Sequence, residues 1–452
     1  MAFEARKIAF EILNRLDGGQ RTLDSILDEL SIDETIVPKR ERALLQALIF
    51  GVLRWRGRLD FIISYFSSTR FDKIHPKILN ILRLALFQII YLDRVPNSAA
   101  VNTAVEISKL SGAPWVAGYV NALLRNASRN YQEVNFPDIE KNPIAAMTLD
   151  QSFPEWIVRR WMERYGLKNA AALCDAVNTI PPITIRTNRL KTSPSALVNE
   201  LAKEVEHIKP TCYSPDGIHF VNPKTSIPKL PKFKDGWFQV QDEAAQLVSL
   251  YLNPQPGETV LDACAGLGGK TGHIAQLMQN KGGVIALDID KAKLLRLETE
   301  IQRLGISIVA TVCHNLENKF DQPQLNSFDR VLLDAPCSSI GVMRRNPDIK
   351  WQKSEKKLTK YKSRQLRHLE NLSHLVKPSG ILVYAVCSPE PEENEEVMDE
   401  FLKMHPDFVI DKNPGGLPLK IGSAITANGF FNTYPNFNQM DGFFAARLQR
   451  IA

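Results

Sequence analysis

The 452 residues leave room for about three domains, and a hydrophobic share of 44% with 23% charged residues is ordinary for a soluble globular protein. The net charge of +6 is compatible with a nucleic-acid partner without requiring one. No uncharged apolar run approaches the roughly 18 residues a membrane span needs, and the six cysteines include no CxxC pair, so neither a membrane anchor nor a metal centre is expected.

The chain begins MAFEARKIAFEIL, and Glu4 and Glu11 among its apolar residues are wrong for a signal peptide; a cytoplasmic location is expected. Residues 1–130 read as all-helical. Ile8, Ile12 and Leu16 share one face, and helical patterns follow over about 39–54, 59–67, 74–92, 97–111 and 114–128. Turn signals such as Asp17-Gly18-Gly19 and Val95-Pro96-Asn97 separate them, which predicts a helical bundle ending near 135. Residues 131–145, with Pro137 and Pro143, read as a linker. The stretch 150–235 then reads as a small α+β domain: SFPEWIVRRWMERYG is helical and ITIRTNRL alternates as a strand. From 236 to 452 the pattern is α/β. Strands are predicted at 259–263, 284–288, 307–313, 329–334 and 381–386, with helices between them. Several are continuous apolar runs, which suits a parallel sheet buried on both faces.

The loop Cys264–Thr271, CAGLGGKT, follows the first of these strands and opens a helix. Glycines there let backbone approach a ligand at a helix N-terminus, where free N–H groups point outward. A P-loop would need glycine where Cys264 stands, and a dinucleotide fingerprint would need glycine at Thr271. S-adenosylmethionine has no pyrophosphate and does not need that last glycine. It needs a carboxylate for its ribose hydroxyls, and Asp288 ends the strand VIALD about 20 residues on. Taken alone, Asp288 reads as well as a cap for the helix that follows. Asp334 ends a further strand and borders the same crevice, because such sheets bind ligands at strand C-termini.

Two cysteines each follow a strand: Cys337 in DAPCSS and Cys387 in AVCSP. One would suggest packing, and that is the reading for Cys174, Cys212 and Cys313. Two in polar turns on the ligand-binding edge suggest thiol chemistry. Methylation at a pyrimidine C5 needs it, because that carbon is a poor nucleophile until a thiolate adds to C6. A nearby carboxylate, for which Asp334 is a candidate, stabilises charge on the ring.

The segments IRTNRLK, VQDEAAQLV, VLDACAGLGGKT, ALDID, LLDAPCSS, RRNPDIKW, YAVCSPEPEENE and DGFFAARL span about 183–448. Through them the chain resembles the RsmB (Sun, Fmu) family of bacterial 16S rRNA cytosine-C5 methyltransferases, and its N-terminus is similar to their NusB-like RNA-binding domain. The resemblance implies a NusB-like bundle, a small α+β domain and a Rossmann-like methyltransferase domain. It implies that Cys387 is the nucleophile, that Cys337 assists product release, and that Asp334 acts on the base. It further implies that Cys264, Ala265, Gly266, Leu267, Gly268, Gly269, Lys270, Asp288, Asn315 and Asp334 bind S-adenosylmethionine. The expected substrate is 16S rRNA or an early small-subunit assembly intermediate, and the expected state is a monomer. Leu267, Asn315 and Val386 depart from the family's usual proline, aspartate and threonine, so weaker cofactor binding is expected. These departures also leave open a non-catalytic RNA-binding factor.

The stretch 344–367 holds ten Lys/Arg against Asp348 and Glu355. A charge run is most often a solvated helix face. Its position after the Cys337 loop favours phosphate contacts by Arg344, Arg345, Lys350, Lys353 and Lys357. The acidic run Glu390–Glu400 reads as a solvated helix start, and His273, His314, His368 and His374 as structural or exposed.

Overall fold

The computed structural model describes residues 2–19, 21–30, 38–109, 114–320, 327–412, 414, 415, 417 and 419–451. They group into two units: Met1–Thr179 with Met343–Glu355, and Ile180–Val342 with Lys356–Ala452.

The first unit is helical: Ala2–Asp17, Leu23–Leu30, Lys39–Phe66, Pro76–Tyr91, Asn97–Lys109, Pro114–Asn130, Pro143–Leu149 and Glu155–Asn178. Proline opens three of these helices, at the position where its missing N–H costs nothing. Asn142 caps one by accepting from the Ala145 N–H at 3.2 Å. The predicted helices over 39–54 and 59–67 are one helix bent at Trp55 (φ −107°, ψ 17°). Positions 110 and 111 of a further predicted helix lie outside the described residues. Leu48, Leu82, Leu86, Val120 and Leu124 are fully buried in the core. The division between units falls at Thr179/Ile180, so the long helix Glu155–Asn178 belongs with the bundle.

The second unit contains two sheets. Strands β1 (Ile183–Thr187), β2 (Glu206–Pro210), β3 (Gly217–Val221) and β4 (Phe238–Val240) pair antiparallel in the order β2-β3-β1-β4. Ile185, Ile218, Phe220 and Phe238 form a core with Leu197 and Leu201 of an adjoining helix. The larger sheet holds β5 (Thr259–Ala263), β6 (Gly283–Asp288), β7 (Val309–Cys313), β8 (Phe328–Asp334), β9 (Val376–Val386), β10 (Phe408–Ile410), β11 (Phe431–Thr433) and β12 (Phe443–Arg450). Its order is β10-β12-β9-β8-β5-β6-β7, with β11 on β12. β5 to β9 run parallel, while β12 pairs antiparallel with β9 and makes the sheet mixed. Sequence periodicity located all five parallel strands. The antiparallel ones are short or follow a long irregular approach, and their pattern was not legible.

Because β5, β6, β8 and β9 are parallel neighbours, their last residues share one edge of the sheet. Ala263, Asp288, Asp334 and Val386 are those residues. The loop and both cysteine turns emerge there.

Candidate active site

The loop after β5 is shaped by left-handed backbone at three positions: Cys264 (φ 62°), Gly266 (φ 57°) and Gly268 (φ 81°). Gly268 begins the helix Gly269–Leu277, and a Cβ there would meet Leu297 Cγ at 2.6 Å. Only glycine fits that approach without strain. The Ala265 N–H donates to Leu287 O at 2.9 Å, which pins the loop to the end of β6. Leu267 is exposed. The Cys264 thiol is pushed well up by burial and by Asp288, Asp334 and Asp262, so it stays protonated and contributes its backbone.

Asp288 accepts from the Gly266 N–H on one oxygen and from the Asp290 N–H on the other, each at 2.8 Å. Each oxygen keeps a lone pair free for a further donor. Beside it lies a cavity of about 360 Å³ whose lining includes Gly266, Ile289, Asn315, Leu316, Asp334 and Pro336. Asn315 Oδ1 accepts from the Glu317 N–H at 3.0 Å and retains its second lone pair. Arg364 and His368 also line it. His368 was read from sequence as structural or exposed. It is buried, and burial pulls its imidazole down to about 4, so the ring is neutral at neutral pH. Asp288 can accept from ribose hydroxyls, and Ile289, Leu316 and Pro336 offer an apolar surface to a flat heterocycle, with Lys293 and His314 also in the lining.

Lys270 reaches from the loop's helix to Asp334, with Nζ donating to Oδ2 at 2.6 Å. Burial alone would lower this ammonium, but Asp334 outweighs it and holds the group above its ordinary value. Cys337 and Cys387 lie with their sulfurs 3.4 Å apart. Two backbone bonds align their turns: Ala335 N–H to Ala385 O at 2.9 Å and Gly341 N–H to Cys387 O at 3.0 Å. The contact with Cys337 lowers the Cys387 thiol, helped by Ser339 and Lys270 against burial and Asp334. The same contact raises Cys337 well above its ordinary range, with burial and Glu393 adding to it. Cys387 is therefore the sulfur poised to be thiolate. Of the other cysteines, Cys174 is buried as expected, whereas Cys212 and Cys313 are exposed.

The basic run divides. Lys350 has no exposed surface, so it is removed from the expected phosphate contacts. Its Nζ donates to Asn178 Oδ1 at 2.6 Å and to Arg54 O and Ser152 O at 3.2 Å, all within the helical unit. Trp351 donates its Nε1–H to Leu53 O at 2.6 Å in the same unit. The most specific motif of the run thus plugs the bundle. Arg344, Arg345 and Lys353 are half-buried, and Lys357 is exposed. Further on, Lys362 pairs with Glu396 at 3.1 Å and Glu400 at 3.3 Å, and Arg364 with Glu317 at 2.9 Å. The acidic run is not uniformly solvated either, because Glu393 is fully buried.

Comparison with known proteins gives a consistent result. The family model "16S rRNA methyltransferase RsmB/F" matches residues 249–449, a NusB family model matches 4–129, and an RsmF/B-like ferredoxin-like domain matches 153–226. The "Probable ribosomal RNA small subunit methyltransferase B" of Bacillus subtilis (strain 168) is 34% identical over 447 residues, covering 98% of each chain. The "Ribosomal RNA small subunit methyltransferase B" of Yersinia pseudotuberculosis is 33% identical over 452 residues, covering 99% of this chain and 98% of its own. A crystal structure of PH0851 superposes with a TM-score of 0.80 at 28% identity, covering 100% of this chain and 99% of that one.

Proposed function

Because the chain belongs to the RsmB/F family of 16S rRNA methyltransferases, we propose that it methylates C5 of a cytosine in 16S rRNA through a covalent adduct on Cys387. The observation that carries this reading is the thiol pair, 3.4 Å apart, beside the Lys270–Asp334 ion pair on the edge that also holds the Asp288 cavity. S-adenosylmethionine, once bound, supplies an electrophilic methyl group. Asp288 would hold it through the ribose hydroxyls, Asn315 through the adenine amine, and the backbone of Cys264–Lys270 at the methionine end. Asn315 accepts without the charge that aspartate would bring, which weakens that contact.

The Cys387 thiolate adds to C6 of the cytosine and forms an S–C bond, and the ring's electron pair moves to C5. Asp334, fixed by Lys270, stabilises the charge that develops at N3 and the exocyclic amine. C5 takes the methyl group. Its proton then leaves to solvent, the S–C6 bond breaks, and Cys387 regains its electron pair; Cys337 assists this release. A base must leave its stack to reach a thiolate, so the target is a loop nucleotide or one flipped out. The substrate is 16S rRNA or an early assembly intermediate. Arg344, Arg345, Lys353 and Lys357 remain the candidates for phosphate contact.

Labelled S-adenosylmethionine and unmodified small-subunit rRNA test this. Wild type transfers label to cytosine C5, Cys387→Ala does not, and Cys337→Ala accumulates a covalent RNA–protein adduct. An adduct on Cys387→Ala would reverse the two roles, and absence of transfer by wild type would overturn the reading.

A further inference from the structure

Among the buried carboxylates to which the mechanism gives no task, Glu393 lies between the two cysteine turns. Glu393 closes the short turn Pro391–Glu393 and has no exposed surface. Its Oε1 accepts from the Ser338 N–H at 2.8 Å and from Gln365 Nε2 at 3.1 Å. Its Oε2 accepts from the Ser338 and Ser388 hydroxyls at 2.5 Å each. Ser338 follows Cys337, and Ser388 follows Cys387. The two hydroxyls also meet at 3.1 Å. Glu393 is itself fixed, since the Tyr384 hydroxyl donates to its carbonyl at 2.6 Å. Asn394 adds a bond from Nδ2 to Ser388 O at 3.1 Å.

A carboxylate is costly to bury, and four donors offset that cost here. A packing role would not require three of the four donors to come from Ser338 and Ser388, the residues adjoining the two sulfurs. At Cys387 Asp334 opposes thiolate while Ser339 and Lys270 favour it, and at Cys337 Glu393 opposes it.

We propose that Glu393 is the positioning residue of the thiol pair: through Ser338 and Ser388 it locks the two cysteine turns in register, and that register sets the Cys337–Cys387 contact and so which sulfur attacks. This rests on the two-cysteine reading above.

The test uses the full chain as wild type, Glu393→Gln, Glu393→Asp and Ser388→Ala. Iodoacetamide labelling of each cysteine, resolved by peptide mass spectrometry between pH 6 and 9, needs neither RNA nor cofactor. Wild type labels at Cys387 in preference to Cys337. In Glu393→Gln the ratio falls toward one, while S-adenosylmethionine affinity and KM for RNA stay within about twofold and kcat drops about 100-fold, the scale of a misplaced reacting group. Glu393→Asp restores part of both the ratio and kcat. An unchanged labelling ratio in Glu393→Gln overturns the proposal, as does a parallel loss of cofactor affinity, which would mark Glu393 as structural only. Should Glu393→Gln not fold, Ser388→Ala removes one donor and must lower the ratio; no change there also overturns the proposal. If wild type transfers no methyl group, the mechanism fails while the labelling ratio still decides the role of Glu393.

Discussion

Lys270 and Lys350 are both withdrawn from water, one in each unit, and they are satisfied in opposite ways. Lys270 meets a carboxylate, Asp334, and is held charged above its ordinary value against the pull of burial. Lys350 meets two backbone carbonyls and an amide oxygen over the face of Phe153, and burial drives it well below its ordinary value. A buried cation with a counter-charge is a working electrostatic element, because it acts on whatever else enters its site. A buried lysine held by three neutral acceptors is a fastener that ties three segments. The same residue type faces a carboxylate in one unit and neutral acceptors in the other.

The largest test of that contrast is Lys270→Met. It leaves Asp334 without its counter-charge and removes a cation from beside Cys387, so kcat falls by about 10²–10³-fold, the scale of a lost electrostatic stabiliser. Full activity in that variant would erase the distinction. Lys350→Ala should do the reverse. It strands three acceptors and opens a cavity, lowering stability to urea by about 3 kcal/mol while S-adenosylmethionine affinity stays within twofold. Titration calorimetry alongside urea unfolding reads both effects.

Asp262 sharpens the comparison with the opposite charge. It is fully buried, accepts from the Thr271 hydroxyl at 2.6 Å, and burial raises its carboxyl to about 7. The folded protein therefore binds a proton that the unfolded chain releases near its ordinary value of 3.8. Stability from this group is present at low pH and is lost as pH rises toward 7, by up to about 1.4 kcal/mol per unit. Asp262→Asn should flatten that slope between pH 5 and 7 in urea midpoints, and an unchanged slope would show that the carboxyl is not the source. The smallest effect is Asn315→Asp. Restoring charge to the adenine contact tightens S-adenosylmethionine binding about fivefold, close to 1 kcal/mol. Equal affinity in the two proteins would mean that residue 315 does not hold the adenine.

These contrasts explain what was legible before the fold was known. The loop, Asp288, Asp334 and both cysteine turns each sit at the end of an apolar strand, and strand ends converge by topology alone. Their meeting at one edge could be read from local pattern. Lys350 could not, because its acceptors come from residues 54, 152 and 178. Glu393 looked like one acid among several, and only the serines at 338 and 388 mark it out. Of the phosphate contacts expected from the positive run over 344–367, Lys350 drops out because it turns inward, and elsewhere in the run Lys362 and Arg364 pair with glutamates. A charge run reports composition, whereas its fate depends on partners 34 to 296 residues away.

The return of residues 343–355 to the helical unit also orders events during synthesis. Domains commonly fold as they leave the ribosome, N-terminal first. Asn178 and the carbonyls of Arg54 and Ser152 emerge early, but the amine that satisfies them follows more than 170 residues after Asn178, once β1 to β8 have been made. The first unit to begin is completed only when most of the second has been translated. The contacts that residues 343–355 make in the first unit can therefore form only after β1 to β8 have been translated, and a chain stopped before residue 343 lacks them.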